Sequence, residues 1–163
     1  MVDERTIATV AFIAVSLSLP LYLHGVWIIL RSEEVTWSVL MAHLRSVVPA
    51  VMLTAVPVAL WMIPRSLTWG FSGLVTVHIF FALQAYALLL IGLWGIVPIF
   101  RAKHRHNLYR APDQDIDLDE LDERMPHWRR RLRLGVFGHL LMWLIAYLLG
   151  ALIYVRSYLV PII

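Results

Sequence analysis

Long apolar runs without charged residues dominate this chain of 163 residues. The runs are continuous and lack the polar alternation of membrane strands, a pattern that predicts helices. A bilayer core about 30 Å thick needs roughly 20 apolar residues per helix, so each run is long enough to cross it. The predicted helices cover residues 6–30, 36–63, 70–100 and 134–156. The pattern therefore predicts an all-α, integral membrane four-helix bundle that forms one domain over residues 1–163.

Composition excludes an ordinary soluble domain. Hydrophobic residues make up 60% of the chain and charged residues 15%, whereas soluble domains carry about 25% charged residues. The chain has no cysteine, which excludes disulfides, thiolate metal ligands and thiol nucleophiles.

Basic residues are distributed unequally between the two ends of the predicted helices. Loops 31–35 and 101–133, together with Arg45 at the mouth of the second helix, carry eleven of the fourteen lysines and arginines. The two termini and loop 64–69 carry the other three. The positive-inside rule places the basic side in the cytoplasm. We expect an up-down-up-down bundle in the cell (plasma) membrane, with a cytoplasmic long loop and both N and C termini on the outer side.

The long loop has basic ends around an acidic middle. Residues 113–123 contain seven carboxylates. The basic ends are expected to contact lipid headgroups. The acidic segment fits either a solvated connector or a docking strip for a soluble partner, and nucleic acid is not an expected partner.

Four histidines lie inside the predicted helices, at positions 24, 43, 78 and 139. Counted from the basic ends of the helices, His24, His43 and His139 lie about 9–11 Å below the cytoplasmic surface, while His78 belongs to the opposite leaflet. Ionisable residues in membrane segments are rare and usually face the bundle interior. A neutral histidine can also hydrogen-bond a carbonyl of a neighbouring helix, contributing less than about 2 kcal/mol. Both interpretations remain open at this stage.

A b-type haem held by two axial imidazoles is the functional interpretation with the most specific geometry. The Cα atoms of the two ligands must stand about 13 Å apart, which fits diagonal helices of a bundle better than neighbours packed at about 8–10 Å. In an up-down-up-down bundle the second and fourth helices are diagonal. His43 and His139 are therefore the predicted axial ligands of the haem iron.

Other polar residues receive supporting roles in this interpretation. His24 and Arg45 are predicted to lie behind the axial ligands or beside a haem propionate, although Arg45 fits equally well as a residue that extends to lipid phosphate. His78 and Tyr86 form a weaker second candidate site, for quinone chemistry at the opposite face. A copper or haem-delivery site built from His24, His43 and His139 is a further alternative, disfavoured by the absence of thiol ligands.

Several segments carry a resemblance to known families. LYLHGVW, MAHLRSVVP and RRRLRLGVFGHLLMW resemble a family of small four-helix membrane proteins of unknown function, mostly from haloarchaea. One histidine per helix and a basic start to the last helix are also similar to a bacterial four-helix family associated with cytochrome oxidase assembly, and to the cytochrome b561 superfamily. The b561 pattern places paired histidines on one helix to hold two haems. The resemblance therefore implies at most one haem here.

Two functions follow as expectations. The first is a membrane b-type cytochrome-like subunit that binds one haem b near the cytoplasmic face and takes part in respiratory electron transfer. The second is a haem-free accessory or assembly subunit of a membrane respiratory complex, with its histidines as packing groups. Both predict the lipid bilayer and other membrane or respiratory subunits as partners.

Overall fold

The computed structural model describes residues 3–32, 37–69, 73–108 and 122–160, which contain helices and turns but no strand. The α-helices are α1 (Glu4–Arg31), α2 (Trp37–Pro57), α3 (Ile63–Trp69), α4 (Gly73–Arg105) and α5 (Met125–Tyr154). Single π-helical segments, Val58–Met62 and Val155–Leu159, continue α2 into α3 and extend α5. The all-α prediction is confirmed.

Four helical stretches are long and apolar enough to cross a membrane, as predicted. They run over Glu4–Arg31, Ser38–Thr68, Gly73–Arg105 and Met125–Leu159. The last begins nine residues before the predicted position 134. A helix satisfies its own backbone hydrogen bonds outside the hydrocarbon as well as inside it, so the basic residues before position 134 can also be helical. Charge thus marks where an apolar run ends, whereas the helix continues beyond it. Most of the acidic segment 113–123 lies outside the described residues.

The chain divides into two compact units, which we describe separately. The first comprises the chain up to Thr76 together with the chain from Leu149 onward, and the second comprises Val77–Leu148.

In the first unit, α1 and α2 pack against each other in antiparallel orientation. Small residues of α1 that recur every seven positions, Ala11, Ser18 and Gly25, are buried. Ser18 accepts a hydrogen bond of 3.1 Å from the Thr54 hydroxyl, and an added Cβ at Gly25 would overlap the Val47 side chain. Small residues at this spacing let two membrane helices approach closely.

The ends of three spans meet at one end of the first unit. Glu4 forms an ion pair with Arg65 and accepts a hydrogen bond of 2.7 Å from the Tyr158 hydroxyl. The ring of Tyr154 stacks on Phe12 with 4.6 Å between the ring centroids. The start of α1 therefore lies beside the ends of the second and fourth spans.

In the second unit, α4 and α5 form an antiparallel pair with a glycine contact. The backbones of Gly92 and Gly135 touch, and an added Cβ at Gly95 would lie 2.6 Å from the backbone nitrogen of Leu132. Glycine is required at position 135 of this contact, because a Cβ there would overlap the backbone of Gly92 and hold the two helices apart. The close approach also brings side chains of one helix within reach of carbonyl groups of the other.

Candidate functional site: the membrane histidines

His139 lies in the contact between α4 and α5. Its side chain is buried, with 6% of the residue exposed. The ring donates a hydrogen bond from Nδ1 to the carbonyl oxygen of Ala85, 2.8 Å away. A carbonyl can only accept, so the neutral ring carries its proton on Nδ1 and its lone pair on Nε2. Nε2 is also buried.

His78 makes the reciprocal bond from the other helix. Its Nδ1 lies 2.8 Å from the carbonyl oxygen of Ala146. On each helix a histidine and an alanine are seven residues apart, His78 with Ala85 on α4 and His139 with Ala146 on α5. Seven residues are two helical turns, so the antiparallel pair carries two equivalent bonds about 10 Å apart along its axis. We refer to these two bonds as the reciprocal histidine clamp.

His43 makes the same kind of bond in the first unit. Its Nδ1 lies 2.8 Å from the carbonyl oxygen of Gly25 on α1, and the residue is half-buried. A Cβ added at Gly25 would be 3.5 Å from this ring nitrogen, so the glycine leaves room for the ring beside its backbone. His43 thus links α2 to α1 as His139 links α5 to α4.

The structure places the remaining predicted residues in other settings. His24 is exposed and lines an open surface depression with Leu23, Val26, Trp27 and Leu30. Arg45 is exposed as well. Tyr86 lies two turns beyond His78 on α4 and has a buried hydroxyl. Haem ligation by His43 and His139, the propionate roles of His24 and Arg45, and a quinone site at His78 and Tyr86 all stay predictions.

Two features of the site were not predicted from the sequence. One is the pairing of each clamp histidine with an alanine, visible as HIFFALQA in α4 and HLLMWLIA in α5. The other is Gln84, an amide in the middle of the third apolar run. Within the described ranges, no group of three or more histidine, aspartate, glutamate or cysteine side chains could hold a metal ion.

A charged turn precedes α5. The Asp122 carboxylate accepts hydrogen bonds from the backbone nitrogen of Arg124, at 2.9 Å, and from its guanidinium Nε, at 3.1 Å. The Met125 nitrogen donates to the Asp122 carbonyl oxygen at 2.9 Å. The side-chain hydrogen bond with Arg124 is the main cause that lowers the pKa of Asp122 below its usual value.

This lowered pKa predicts a pH-dependent helix start. Because the folded pKa of Asp122 lies below its unfolded value, its contribution is present above the unfolded pKa and is lost as the pH falls through the folded pKa. Amide hydrogen exchange at Arg124, corrected for its intrinsic pH dependence, should therefore accelerate at acidic pH. Asp122→Asn should remove the dependence and Glu123→Gln should keep it. An unchanged pH profile in Asp122→Asn would contradict the assignment.

Comparison with known proteins gives a family and no activity. The searches of curated proteins and of solved structures find no match. One family model, described as "Domain of unknown function (DUF7321)", matches residues 4–159. The match covers all four candidate spans in full, and it includes the three histidines that bond to carbonyl groups. The chain therefore belongs to the DUF7321 family.

Proposed function

We propose that the protein is a haem-free accessory or assembly subunit of a membrane complex, a helical scaffold whose histidines join its helices. The reciprocal histidine clamp carries this proposal. His78 has no histidine at its own predicted depth and still makes the same 2.8 Å bond as His139. Because the bond forms at His78 without a second histidine that could share a haem iron, helix packing alone explains it.

The proposal places the protein in the cell membrane with its long loop in the cytoplasm and both termini outside. The contacts of Glu4 with Arg65 and Tyr158 support this topology, because the start of α1 and the ends of the second and fourth spans must then lie on the same side of the membrane. The excess of basic residues at the other ends supports the orientation. The partner class, a respiratory membrane complex contacted through the charged loop, rests on the family resemblance.

A second candidate function is a b-type haem subunit with His43 and His139 as axial ligands. It is favoured by the Nδ1 hydrogen bonds of both rings to backbone carbonyl groups. Histidines that bind metal through Nε2 commonly donate Nδ1–H in this way, which fixes the tautomer and the ring orientation. The buried Nε2 of His139 weighs against it, because an axial nitrogen must be open to the iron.

An optical spectrum of the full-length protein separates the two functions. The protein is expressed with haem supplied, purified in mild detergent and reduced with dithionite. The scaffold proposal expects no haem α-band. A band that is lost in both His43→Ala and His139→Ala, and only shifted in His24→Ala, would overturn the scaffold proposal in favour of the cytochrome.

A further inference from the structure

Among the four candidate spans, α4 has the smallest buried share. Only 6% of its most apolar stretch is buried, compared with 17% to 28% in the other three spans. Its contact with α5 uses the small residues around Gly92, and most of its remaining circumference is exposed. An exposed apolar surface alone is what lipid requires, so exposure by itself identifies no partner.

Gln84 distinguishes one face of α4 from the rest. It is exposed and lies eleven residues after Gly73, about 16 Å along the helix and thus near the middle of a bilayer core. A side-chain amide that faces hydrocarbon without a hydrogen-bond partner is costly. In membranes, glutamine side chains hydrogen-bond across helix contacts. The Gln84 amide therefore calls for a polar partner at the same depth.

The residues around Gln84 form a regular helix-packing surface. The exposed residues at spacings of three and four along this surface, the Gln84 face, are Val77, Phe80, Gln84, Ala87, Ile91 and Trp94. This spacing is the repeat of a left-handed helix pair. Ala87, one turn from Gln84, is small enough to let a second helix approach.

We infer that two copies of the chain associate through the Gln84 face of α4, with the two Gln84 amides hydrogen-bonded to each other inside the membrane. Two copies inserted with the same topology are related by a two-fold axis along the membrane normal, which brings identical residues to identical depth. An amide carries both donors and an acceptor, so it is complementary to itself. Gln84 alone therefore supplies both partners of the hydrogen bond when a second copy binds. A different protein would need its own polar residue at this depth.

Cysteine cross-linking in native membranes tests the contact. The chain has no cysteine, so each single-cysteine variant of the full-length protein reports one position. Ala87→Cys and Ile91→Cys lie on the Gln84 face and should form disulfide-linked dimers under mild oxidation. Leu93→Cys is the matched control, because Leu93 is exposed (47%) but lies on another face of α4, at no spacing of three or four residues from a member of the Gln84 face. Equal cross-linking at all three positions, or none at the first two, would overturn the inference.

A second set of variants tests the amide itself. In the Ala87→Cys background, Gln84→Leu removes the polar group and suits lipid, so insertion should be unaffected. The dissociation constant of the dimer should rise roughly 3- to 30-fold, the range measured for such hydrogen bonds in membranes. Gln84→Asn should retain most of the association. Undiminished cross-linking in Gln84→Leu would refute the role of the amide.

Discussion

Replacing Gly135 with alanine is expected to destabilise the α4–α5 pair severely. A Cβ at this position would overlap the backbone nitrogen and Cα of Gly92 and would lie 2.8 Å from the carbonyl oxygen of Leu88. Backbone atoms cannot move aside by changing a rotamer, so the helices must separate, which also lengthens the bonds of the reciprocal histidine clamp. We expect the free energy of unfolding to fall by about 3 kcal/mol, the upper part of the usual range for overpacking.

The facing glycine provides the control for this prediction. A Cβ at Gly92 would meet its nearest atoms, those of Gly135, at 3.6 Å, which is ordinary van der Waals contact. Gly92→Ala should therefore change the free energy of unfolding by less than about 1 kcal/mol, although the two glycines touch each other. Unfolding in a denaturing detergent, followed by tryptophan fluorescence, measures both variants. Equal losses of unfolding free energy in the two variants would contradict the prediction that only a Cβ at Gly135 overlaps the facing backbone.

Replacing His139 with alanine is expected to have the second-largest effect. The substitution removes a buried ring and its hydrogen bond to the Ala85 carbonyl oxygen. Cavity formation and the lost bond together should lower the free energy of unfolding by on the order of 3 kcal/mol. His139→Asn should lose less, since the asparagine amide nitrogen can take the place of Nδ1 and donate to the same carbonyl. The same detergent unfolding measurement applies.

His24 is the matched control, because it is a membrane histidine with an exposed side chain. His24→Ala should leave the free energy of unfolding within about 0.5 kcal/mol of the original protein. Half-buried His43 should fall between His24 and His139. If His24→Ala and His139→Ala cost the same, the histidines do not act through helix packing, and the scaffold proposal fails.

Much of the secondary structure could be predicted from the apolar runs, but the ends of the helices could not. α4 and α5 both continue into basic sequence, to Arg105 and from Met125, because a helix that satisfies its own backbone hydrogen bonds is stable on both sides of the membrane surface. The end of an apolar run therefore indicates where the helix leaves the lipid, not where the helix ends. The helix ends depend on capping groups, such as the Asp122 turn before α5.

The candidate site was only partly predictable. Depth along the helix singled out the membrane histidines, and this required nothing more than counting residues at 1.5 Å each. It grouped His43 with His139 and left His78 apart. In the structure His78 and His139 belong together, as the two halves of one clamp. The spacing of seven residues between histidine and alanine was present in both helices, but its meaning depends on the antiparallel register of α4 against α5.

The sequence by itself determined that this protein is all-α and that four of its segments can cross a membrane, because only an apolar helix of about 20 residues satisfies hydrocarbon over its full thickness. The tertiary structure decided which carbonyl group each histidine meets, and that His24 and Gln84 are exposed. Those outcomes depend on the rotation of each helix about its own axis. In a soluble helix the polar face indicates that rotation. In these spans nearly every position is apolar on all sides, so the rotation is fixed by packing contacts such as those of Gly92 with Gly135 and of Ser18 with Thr54.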